Sequence, residues 1–442
     1  MNNAPDLLVF ADWIIPVIPE GEVLTDHAIA FEGERISAIL PATEARALQP
    51  RETLELPGHA LLPGLINMHG HAAMSLLRGS ADDKPLMPWL EEDIWPIEGK
   101  HVSPEFVRDG ADLAIAEMLR AGTTCFSDMY FFPNITAERC SNAGMRCQIT
   151  FPIFDFPSAW GSDADDYIHK GLALRDDLKH STLVTVVFGP HAPYTVNDAA
   201  MGKIATLANE LDLPVHIHLH ETAEEVREAE QATGQRPLAK LNSLGLIGPR
   251  TQCVHMTELT AEDIDILAAV GAHVIHCPDS NMKLGSGVCP VSELRCAGIN
   301  VALGTDGAAS NNDLSLLAEM RSAALLAKVS TRDASQLSAP EVLSMATING
   351  ARALGKQDQL GSLEAGKAAD MIAIDLSQAE TQPVYNPISQ IVYSAQANQV
   401  THSWIAGEAV LRERELCHMD LEDIVYRDRA WGEKIMETRR TS

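Results

Sequence analysis

The chain of 442 residues has 46% hydrophobic and 21% charged residues, a composition typical of soluble globular proteins. It has no uninterrupted apolar run of the roughly 18–20 residues that a membrane span requires, which argues against a membrane protein. The formal net charge of -28 would repel a phosphate backbone, because nucleic-acid binding normally depends on clustered Lys and Arg. We therefore expect neither nucleic acid nor a membrane as a partner.

The first 63 residues contain short strand-like runs. LLVFADWIIPVI, HAIAFEGERISAIL and ETLELPGHALLPG alternate with Gly, Pro and acidic residues, which predicts a small antiparallel β module. The opening segment MNNAPDLLVFADW has no basic leader and no small-residue cleavage pattern, so it does not resemble a secretory signal. The eight cysteines lack the close pairs of a disulfide framework, and we interpret them as reduced and mostly buried. Both features favour a cytoplasmic location.

The middle of the chain, over 64–357, alternates between strands and helices. Helix-length amphipathic stretches separate eight apolar runs, which are GLINMHGH, TTCFSD, CQITFPIF, LVTVVFGPH, VHIHLHE, CVHM, HVIHCP and VALGTD. This alternation predicts an α/β fold, a parallel (β/α)8 TIM barrel that serves as the catalytic domain. The carboxyl ends of barrel strands form the active-site mouth, so polar residues there are candidates for function.

The last part of the chain, over 358–442, again contains short strand-like runs, as the first 63 residues do. DQLGSLEAGKAADMIAIDL and HSWIAGEAVLRERE are short strands with Gly turns. Residues 1–63 and 358–442 are therefore predicted to build one small discontinuous β-sandwich domain. The final segment MDLEDIVYRDRAWGEKIMETRR predicts a solvated terminal helix.

Histidines occupy two of the predicted barrel strands in an alternating pattern. His69 and His71 end the first strand, so both can reach one metal ion, although hydrogen-bonded or surface pairs show the same spacing. His216, His218 and His220 alternate on a later strand. His218 is the expected ligand, whereas the other two more often satisfy buried polar groups inside a barrel.

Two further strand ends complete a candidate metal site. His255 ends one apolar run, and Asp306 follows another, although Asp-Gly is also a common turn dipeptide. Three imidazoles and one carboxylate suit zinc and leave one coordination position open for water, whose pKa the metal lowers toward neutrality. The pattern predicts a catalytic site with one zinc ion per chain.

Taken together, His69-x-His71, His218, His255 and Asp306 resemble the amidohydrolase superfamily over essentially the whole chain. A second resemblance, to the 5'-methylthioadenosine/S-adenosylhomocysteine deaminases, lies in PGLINMHGHAAMSLLRG, WPIEGK, GPHAPYTV, HIHLHETAEE, VHMTEL, HCPDSNMKLGSG and GTDGAASNNDLSLLAEM. It implies hydrolytic deamination of an adenosine-type nucleoside (5'-methylthioadenosine, S-adenosylhomocysteine or adenosine) to the inosine analogue and ammonia.

The resemblance also implies a role for each matched residue. The implied metal ligands are His69, His71, His218 and Asp306. The implied substrate contacts are Glu98, His191, Glu221 and Asp306. In catalysis, Glu221 would shuttle protons, His255 would orient the attacking water and Asp306 would accept a proton. Glu98 would accept hydrogen bonds from both ribose hydroxyls, unless it is merely a solvated loop carboxylate.

Other functions fit the sequence less well. It lacks the Pro-Cys-x-x-Cys of cytidine-type deaminases, the His-Glu-x-x-His of metalloproteases and a Gly-x-Ser-x-Gly elbow. TLVTVVFGPH holds no lysine that could bridge two metal ions. Guanine, cytosine and triazine hydrolases share much of the machinery and form the main alternative; a non-catalytic barrel scaffold is a remote one.

Several features stay open at this point. DADDYIHKGLALRDD has no arginine at the offset where some relatives hold a homocysteine carboxylate, so the 5'-substituent is not predicted. That choice depends on the loops near Trp89, Trp95, Phe131 and Phe132. The sequence also leaves unassigned the roles of His216, His220, His276, Asn281 and Lys283. The number of subunits is open as well, a homo-oligomer included.

Overall fold

A computed structural model describes residues 4–441 of the chain. Its strands are β1 Leu7–Ile14, β2 His27–Glu32, β3 Arg35–Pro41, β4 Glu52–Pro63, β5 Leu65–Gly70, β6 Thr123–Asp128, β7 Arg146–Ile153, β8 Val184–Pro190, β9 Val215–Leu219, β10 Thr251–His255, β11 His273–His276, β12 Val301–Leu303, β13 Met371–Asp375, β14 Val400–Ile405, β15 Glu408–Arg412 and β16 Glu415–Leu416.

The α-helices are α1 Ala42–Ala45, α2 Leu86–Trp89, α3 Trp95–His101, α4 Pro104–Arg120, α5 Pro133–Ala143, α6 Ala164–Leu178, α7 Asp198–Leu211, α8 Ala223–Thr233, α9 Pro237–Ser243, α10 Ala261–Val270, α11 Pro278–Lys283, α12 Val291–Cys296, α13 Ala308–Asn311, α14 Leu316–Thr331, α15 Ala339–Met345, α16 Ile348–Ala353, α17 Pro387–Tyr393 and α18 Leu421–Thr441. A π-helical turn over Leu90–Ile94 joins α2 to α3. None of the helices within 4–441 combines the length and the apolar character needed to cross a bilayer.

The barrel consists of β5 to β12, which pair in chain order as an eight-stranded sheet. All of its ladders are parallel, from β5–β6 to β11–β12. The sheet curls until β12 meets β5, where the backbone N–H of Asp306 donates to the carbonyl of His69 at 3.0 Å. Each of the eight predicted runs forms one of these strands, so the predicted fold class is confirmed.

Both faces of this sheet are covered, which explains why its strands are continuous apolar runs. Every residue of β5, β6, β9 and β10 is buried. Among the buried positions are polar side chains such as His69, His216 and Gln252. Burying such groups is costly unless they are hydrogen-bonded, so their partners identify the working part of the barrel.

The two chain ends build the second sheet, in the order β16-β15-β14-β13-β4-β1-β2-β3. The prediction that both ends share one β structure is therefore confirmed. The expected antiparallel pairing is wrong for β1 and β4, which run parallel, because the hairpin β2–β3 and helix α1 carry the chain back before β4 begins. The chain changes sheet at Gly64, and the domain limits 1–63, 64–357 and 358–442 stay a prediction.

Helix α18 is packed on the barrel, contrary to the expected solvated helix. Trp431 is buried, and its indole N–H donates to Asp109 Oδ2 at 2.8 Å. Arg427 pairs with the carboxylates of Asp109 and Asp112 on α4. The eight cysteines are all free; six are buried, and Cys296 and Cys417 are exposed.

Candidate active site

The barrel strands deliver the predicted site residues to one mouth. His69 lies in β5 and His71 directly follows it, so the strand alternation turns both rings to the same side. His218 comes from β9, His255 ends β10, and Asp306 follows β12. The structure brings these five side chains together.

Local backbone conformations aim two of these residues. His255 and Asp306 have φ values of 74° and 61°, in the left-handed region that side chains other than Gly rarely adopt. Gly304 permits the close approach of β12 to β5, because a Cβ there would lie only 2.8 Å from His69 Cβ. These special conformations cluster at the mouth, where backbone strain often accompanies function.

The candidate metal-binding atoms form two overlapping groups that share His69: one with His71 and Asp306, the other with His218 and His255. His69 Nε2 lies 3.2 Å from His218 Nε2 and 3.3 Å from Asp306 Oδ1. His71 Nε2 lies 3.1 Å from the same Asp306 oxygen. Ligand atoms about 2.0–2.1 Å from a tetrahedral zinc are roughly 3.3 Å apart, close to these separations.

The hydrogen bonds made by Nδ1, on the opposite side of each ring, determine whether Nε2 has a lone pair for a metal. His71 Nδ1 lies 2.6 Å from the carbonyl of Met129, and His218 Nδ1 lies 2.8 Å from the carbonyl of His191. Carbonyls only accept, so each Nδ1 carries a proton, and in the neutral ring each Nε2 offers a lone pair. His71 Nε2 faces the Asp306 carboxylate and His218 Nε2 faces His69 Nε2, positions that a shared cation would stabilise. The donor set therefore fits a divalent metal.

The carboxylate of Asp306 is held by groups that the sequence did not reveal. Ser280 Oγ and Ser310 Oγ donate to its Oδ2 at 2.6 and 2.9 Å, and the N–H of Gly307 donates to Oδ1. Burial alone would raise the pKa of Asp306, but the adjacent His69 and His71 rings outweigh it and hold that pKa well below its usual value. Asp306 is thus a fixed anion at the centre of the site.

Glu221 and His255 face each other beside the metal-binding atoms. His255 Nε2 lies 3.8 Å from Glu221 Oε1, and Asn281 Oδ1 lies 2.9 Å from His255 Nδ1. Burial raises the pKa of Glu221, in opposition to the nearby His255. Helix α8 starts directly after Glu221, because Thr222 caps it by accepting from the N–H of Glu225.

His191 and Glu98 stand further out along the same cavity. His191 Nδ1 pairs with Thr195 Oγ1 at 3.0 Å, and burial lowers the pKa of His191 to about 3, so its ring is neutral at physiological pH. Tyr130 donates its hydroxyl to Glu98 Oε1 at 2.5 Å. Burial raises the pKa of Glu98 to about 7 despite this hydrogen bond. Tyr130 is a further residue that the sequence did not single out.

These polar groups line a cavity of about 490 Å³, within the range of pockets that hold small organic ligands. Seven candidate residues reach it, namely His71, Glu98, His191, His218, Glu221, His255 and Asp306. Its remaining wall is largely apolar and includes Met74, Leu86, Trp89, Leu90, Ile94, Trp95, Phe131, Phe154 and Phe156. Of the residues suggested near the 5'-substituent, Trp89, Trp95 and Phe131 line the cavity and Phe132 does not.

The structure shows the surroundings of the five residues whose roles the sequence left unassigned. His220 is structural, since its ring lies 2.9 Å from the carbonyl of Glu258 and accepts from the N–H of Leu238. Lys283 bonds the carbonyl of Ala309 outside the cavity. Asn281 contacts His255, as described above, and His216 contacts His69. His276 is buried, and its Nδ1 has no hydrogen-bond partner among the described residues.

Comparison with known proteins places this geometry in a family. The model of the Amidohydrolase family matches residues 60–410. The chain belongs to the amidohydrolase family. Among its amidohydrolase relatives are 5-methylthioadenosine/S-adenosylhomocysteine deaminases, one from Teredinibacter turnerae, 52% identical over 97% of this chain and 98% of the relative. Another, from Saccharophagus degradans, is 51% identical over 99% of each chain. Both resemblances found in the sequence are thus confirmed.

A solved amidohydrolase structure also superposes on nearly the whole chain. It is an adenosine deaminase from Xanthomonas campestris with bound zinc, with a TM-score of 0.97 and 48% identity over 98% of this chain and 99% of that one. The family and the fold are therefore shared from end to end, including the barrel mouth that carries the candidate residues.

Proposed function

We propose that the chain catalyses zinc-dependent hydrolytic deamination of adenosine-type nucleosides, releasing the inosine analogue and ammonia. The observation that carries this proposal is a pair of overlapping groups of metal-binding atoms, His69 with His71 and Asp306 and His69 with His218 and His255, beside Glu221 in a nucleoside-sized cavity. The deaminases named above support the choice of an adenine ring over guanine, cytosine or triazine rings.

We propose that one zinc ion binds to His69, His71, His218 and Asp306. When bound, zinc supplies a Lewis acid that makes water a nucleophile near neutral pH. The donor atoms suit this ion because they are imidazole nitrogens and a carboxylate, and the neighbouring pairs His69–His218, His69–Asp306 and His71–Asp306 lie 3.1–3.3 Å apart.

The chain's own residues would move the protons of the reaction. Asp306 accepts a proton from the attacking water, and His255 orients that water from the Glu221 side. Glu221 protonates N1 as the C6–O bond forms; the proton taken up by Asp306 passes to the departing amine as the C6–N bond breaks, and the C6 hydroxyl proton returns to Glu221. The raised pKa of Glu221 suits this acid role, because it keeps a larger fraction of the carboxyl protonated.

The outer part of the cavity would select the nucleoside. We assign Glu98 to the ribose hydroxyls and His191 to the base or sugar. None of the described residues that line this cavity is Lys or Arg, so a homocysteine carboxylate would find no cationic partner inside it. We therefore propose that nucleosides with an uncharged 5'-substituent are the better substrates.

The cysteines bear on the cellular setting of the chain. All eight cysteines are free, which fits the reducing cytoplasm that we propose as the location. The substrate is a small molecule, and we propose neither a nucleic acid nor a membrane as a partner.

The decisive experiment is an ammonia-release screen with adenosine, 5'-methylthioadenosine, S-adenosylhomocysteine, adenine, guanine and cytosine. We expect adenosine and 5'-methylthioadenosine to give the highest kcat/KM, with S-adenosylhomocysteine lower and the free bases much lower. Comparable rates on free adenine would refute the ribose contact of Glu98. Faster release from guanine or cytosine would favour the alternative hydrolases.

A further inference from the structure

A chain of buried polar side chains lies behind the candidate metal ligand His69, deep in the barrel. His216 Nε2 lies 2.8 Å from His69 Nδ1, and His216 Nδ1 lies 2.7 Å from Gln252 Oε1. Gln148, from the opposite strand β7, bonds Gln252 in turn. These side chains are at most 2% exposed and lie outside the substrate cavity.

The hydrogen bond at the far end of this row of polar side chains determines which groups in the row donate and which accept. Gln252 Nε2 donates to the backbone carbonyl of Ala353 at 2.8 Å. A carbonyl only accepts, so the amide nitrogen must face Ala353 and Oε1 must face His216. The same Oε1 accepts from Gln148 Nε2 at 2.8 Å, which gives both of its lone pairs a donor.

The orientation of the Gln252 amide in turn determines the tautomers of His216 and of the metal ligand His69. Because Gln252 Oε1 accepts, His216 Nδ1 carries the proton and His216 Nε2 is left as an acceptor. That acceptor takes the hydrogen bond from His69 Nδ1, so His69 Nε2 keeps its lone pair for the metal. His71 and His218 obtain the same polarity from backbone carbonyls. His69 alone among these three ligands relies on side chains for it.

We infer that His216 and Gln252 are positioning residues that orient His69 as a metal ligand, an inference that rests on the metal-binding role proposed above. Partners of ligating histidines typically contribute about 10–100-fold to metal affinity. His216 and His218 alternate on β9, which suits this arrangement. His218 is a candidate metal ligand, and His216 contacts the ligand His69 on the side of its ring away from the metal. No substrate contact is involved.

The test is zinc affinity, measured by competition with a chelator on the full-length protein. We expect His216→Met and Gln252→Met each to weaken zinc binding about 10–100-fold. If His216 and Gln252 act in series, the zinc affinity of the double variant should be only slightly lower than that of the single variant that binds zinc more weakly. His216→Gln restores an acceptor toward His69 and should recover part of the affinity.

His220→Met is the matched control, because His220 is an equally buried histidine that directly follows β9, and its ring contacts Glu258, Leu238 and Asp263 instead of a candidate metal ligand. It should lower Tm without changing zinc affinity. The visible spectrum of the cobalt-substituted protein gives a second readout, which should change in His216→Met and not in His220→Met.

Two outcomes separate this inference from the proposed function. Wild-type protein that binds no zinc would defeat the proposed function itself. Wild-type protein that binds zinc tightly, with folded His216→Met and Gln252→Met variants within about twofold of its affinity, would overturn only the positioning role. Should His216→Met fail to fold, Gln252→Asn, which withdraws the acceptor by one methylene, replaces it in the same comparison.

Discussion

Glu221 is the carboxyl group best placed to exchange protons with a bound purine. It is 5% exposed, lines the cavity and faces His255 across 3.8 Å. Its position is held through the backbone, because the N–H groups of His220 and Glu221 donate to the carboxylate of Glu225 at 3.1 and 2.7 Å. The side chain of Glu221 is therefore held at the reacting end without serving as a metal ligand.

Replacing Glu221 with Gln should separate metal binding from proton transfer. General acid–base catalysis contributes about 10²–10⁴-fold, so kcat for adenosine deamination should fall within that range. Zinc content should be unchanged, because no ligand is altered. Elemental analysis and steady-state kinetics on the same preparation check both parts; a variant with near-normal kcat would reject the proton-transfer role.

Glu98 should make substrate binding depend on pH. Its pKa is raised to about 7 by burial, and only the carboxylate can accept hydrogen bonds from both ribose hydroxyls. As the pH falls through about 7 the carboxylate is protonated, so KM for adenosine should rise at lower pH. Glu98→Gln should have a higher KM that varies much less with pH. Parallel, equally steep KM profiles for the two proteins would contradict this assignment.

The metal-site residues predicted from the sequence are those that strand geometry could place, whereas Glu98, His191 and Glu221 came from the family resemblance. His69, His71, His218, His255 and Asp306 sit at the carboxyl ends of apolar runs, which a barrel brings together. Four supporting residues were not assigned, because each acts through a contact whose partner is remote in the sequence; they are Ser280, Asn281, Tyr130 and Gln252. Such contacts exist only after the chain has folded.

At the scale of elements, one wall of the cavity is a short helical segment. Helix α2, the π-helical turn and α3 contribute Trp89, Ile94 and Glu98 to the cavity. The buried carboxylate of Asp93 in this segment is paired with Lys84 Nζ and with Arg439 Nη2 of α18, each at 2.5 Å. The terminal helix therefore secures the wall that carries the proposed ribose-binding residue.

Arg439→Ala should loosen this wall without touching the metal site. Asp93 keeps Lys84 as a partner and Arg439 is partly exposed, so the ion pair contributes only about 0–1 kcal/mol. We expect KM for adenosine to rise by about two- to fivefold with kcat nearly constant. Arg429→Ala, at an exposed position of the same helix, is the control and should leave KM unchanged. Equal KM values for both variants would show that α18 does not support the cavity.

The elements themselves were mostly predictable, and their long-range pairings were not. Hydrophobic periodicity gave all eight barrel strands, because each is a continuous buried run. The contact of α18 with α4 depends on Trp431 reaching Asp109, more than 300 residues earlier in the chain, and no local pattern encodes it. The parallel pairing of β1 with β4 is likewise a long-range pairing that no local pattern encodes.

For the whole molecule, the candidate metal site joins parts of the barrel that are distant in sequence. Its ligands come from β5, β9 and the segment after β12, and β5 and β12 are the two ends of the curled sheet. A bound ion would therefore hold the barrel closed from inside. Ligands that bind only the folded state stabilise it by an amount that grows with concentration over Kd, about 4 kcal/mol at a thousandfold excess.

Removal of zinc should accordingly lower Tm, and its return should restore Tm at one equivalent per chain. About 4 kcal/mol corresponds to a Tm shift of roughly 4 °C in a chain of 442 residues, because the unfolding entropy is about 2.1 cal/mol/K per residue. Glu221→Gln should show the same shift because its ligands are intact, whereas His71→Ala should melt at one temperature with or without chelator. Recovery that continues to two equivalents would contradict a single ion, and a Tm indifferent to chelation would show that no ion links β5 to β12.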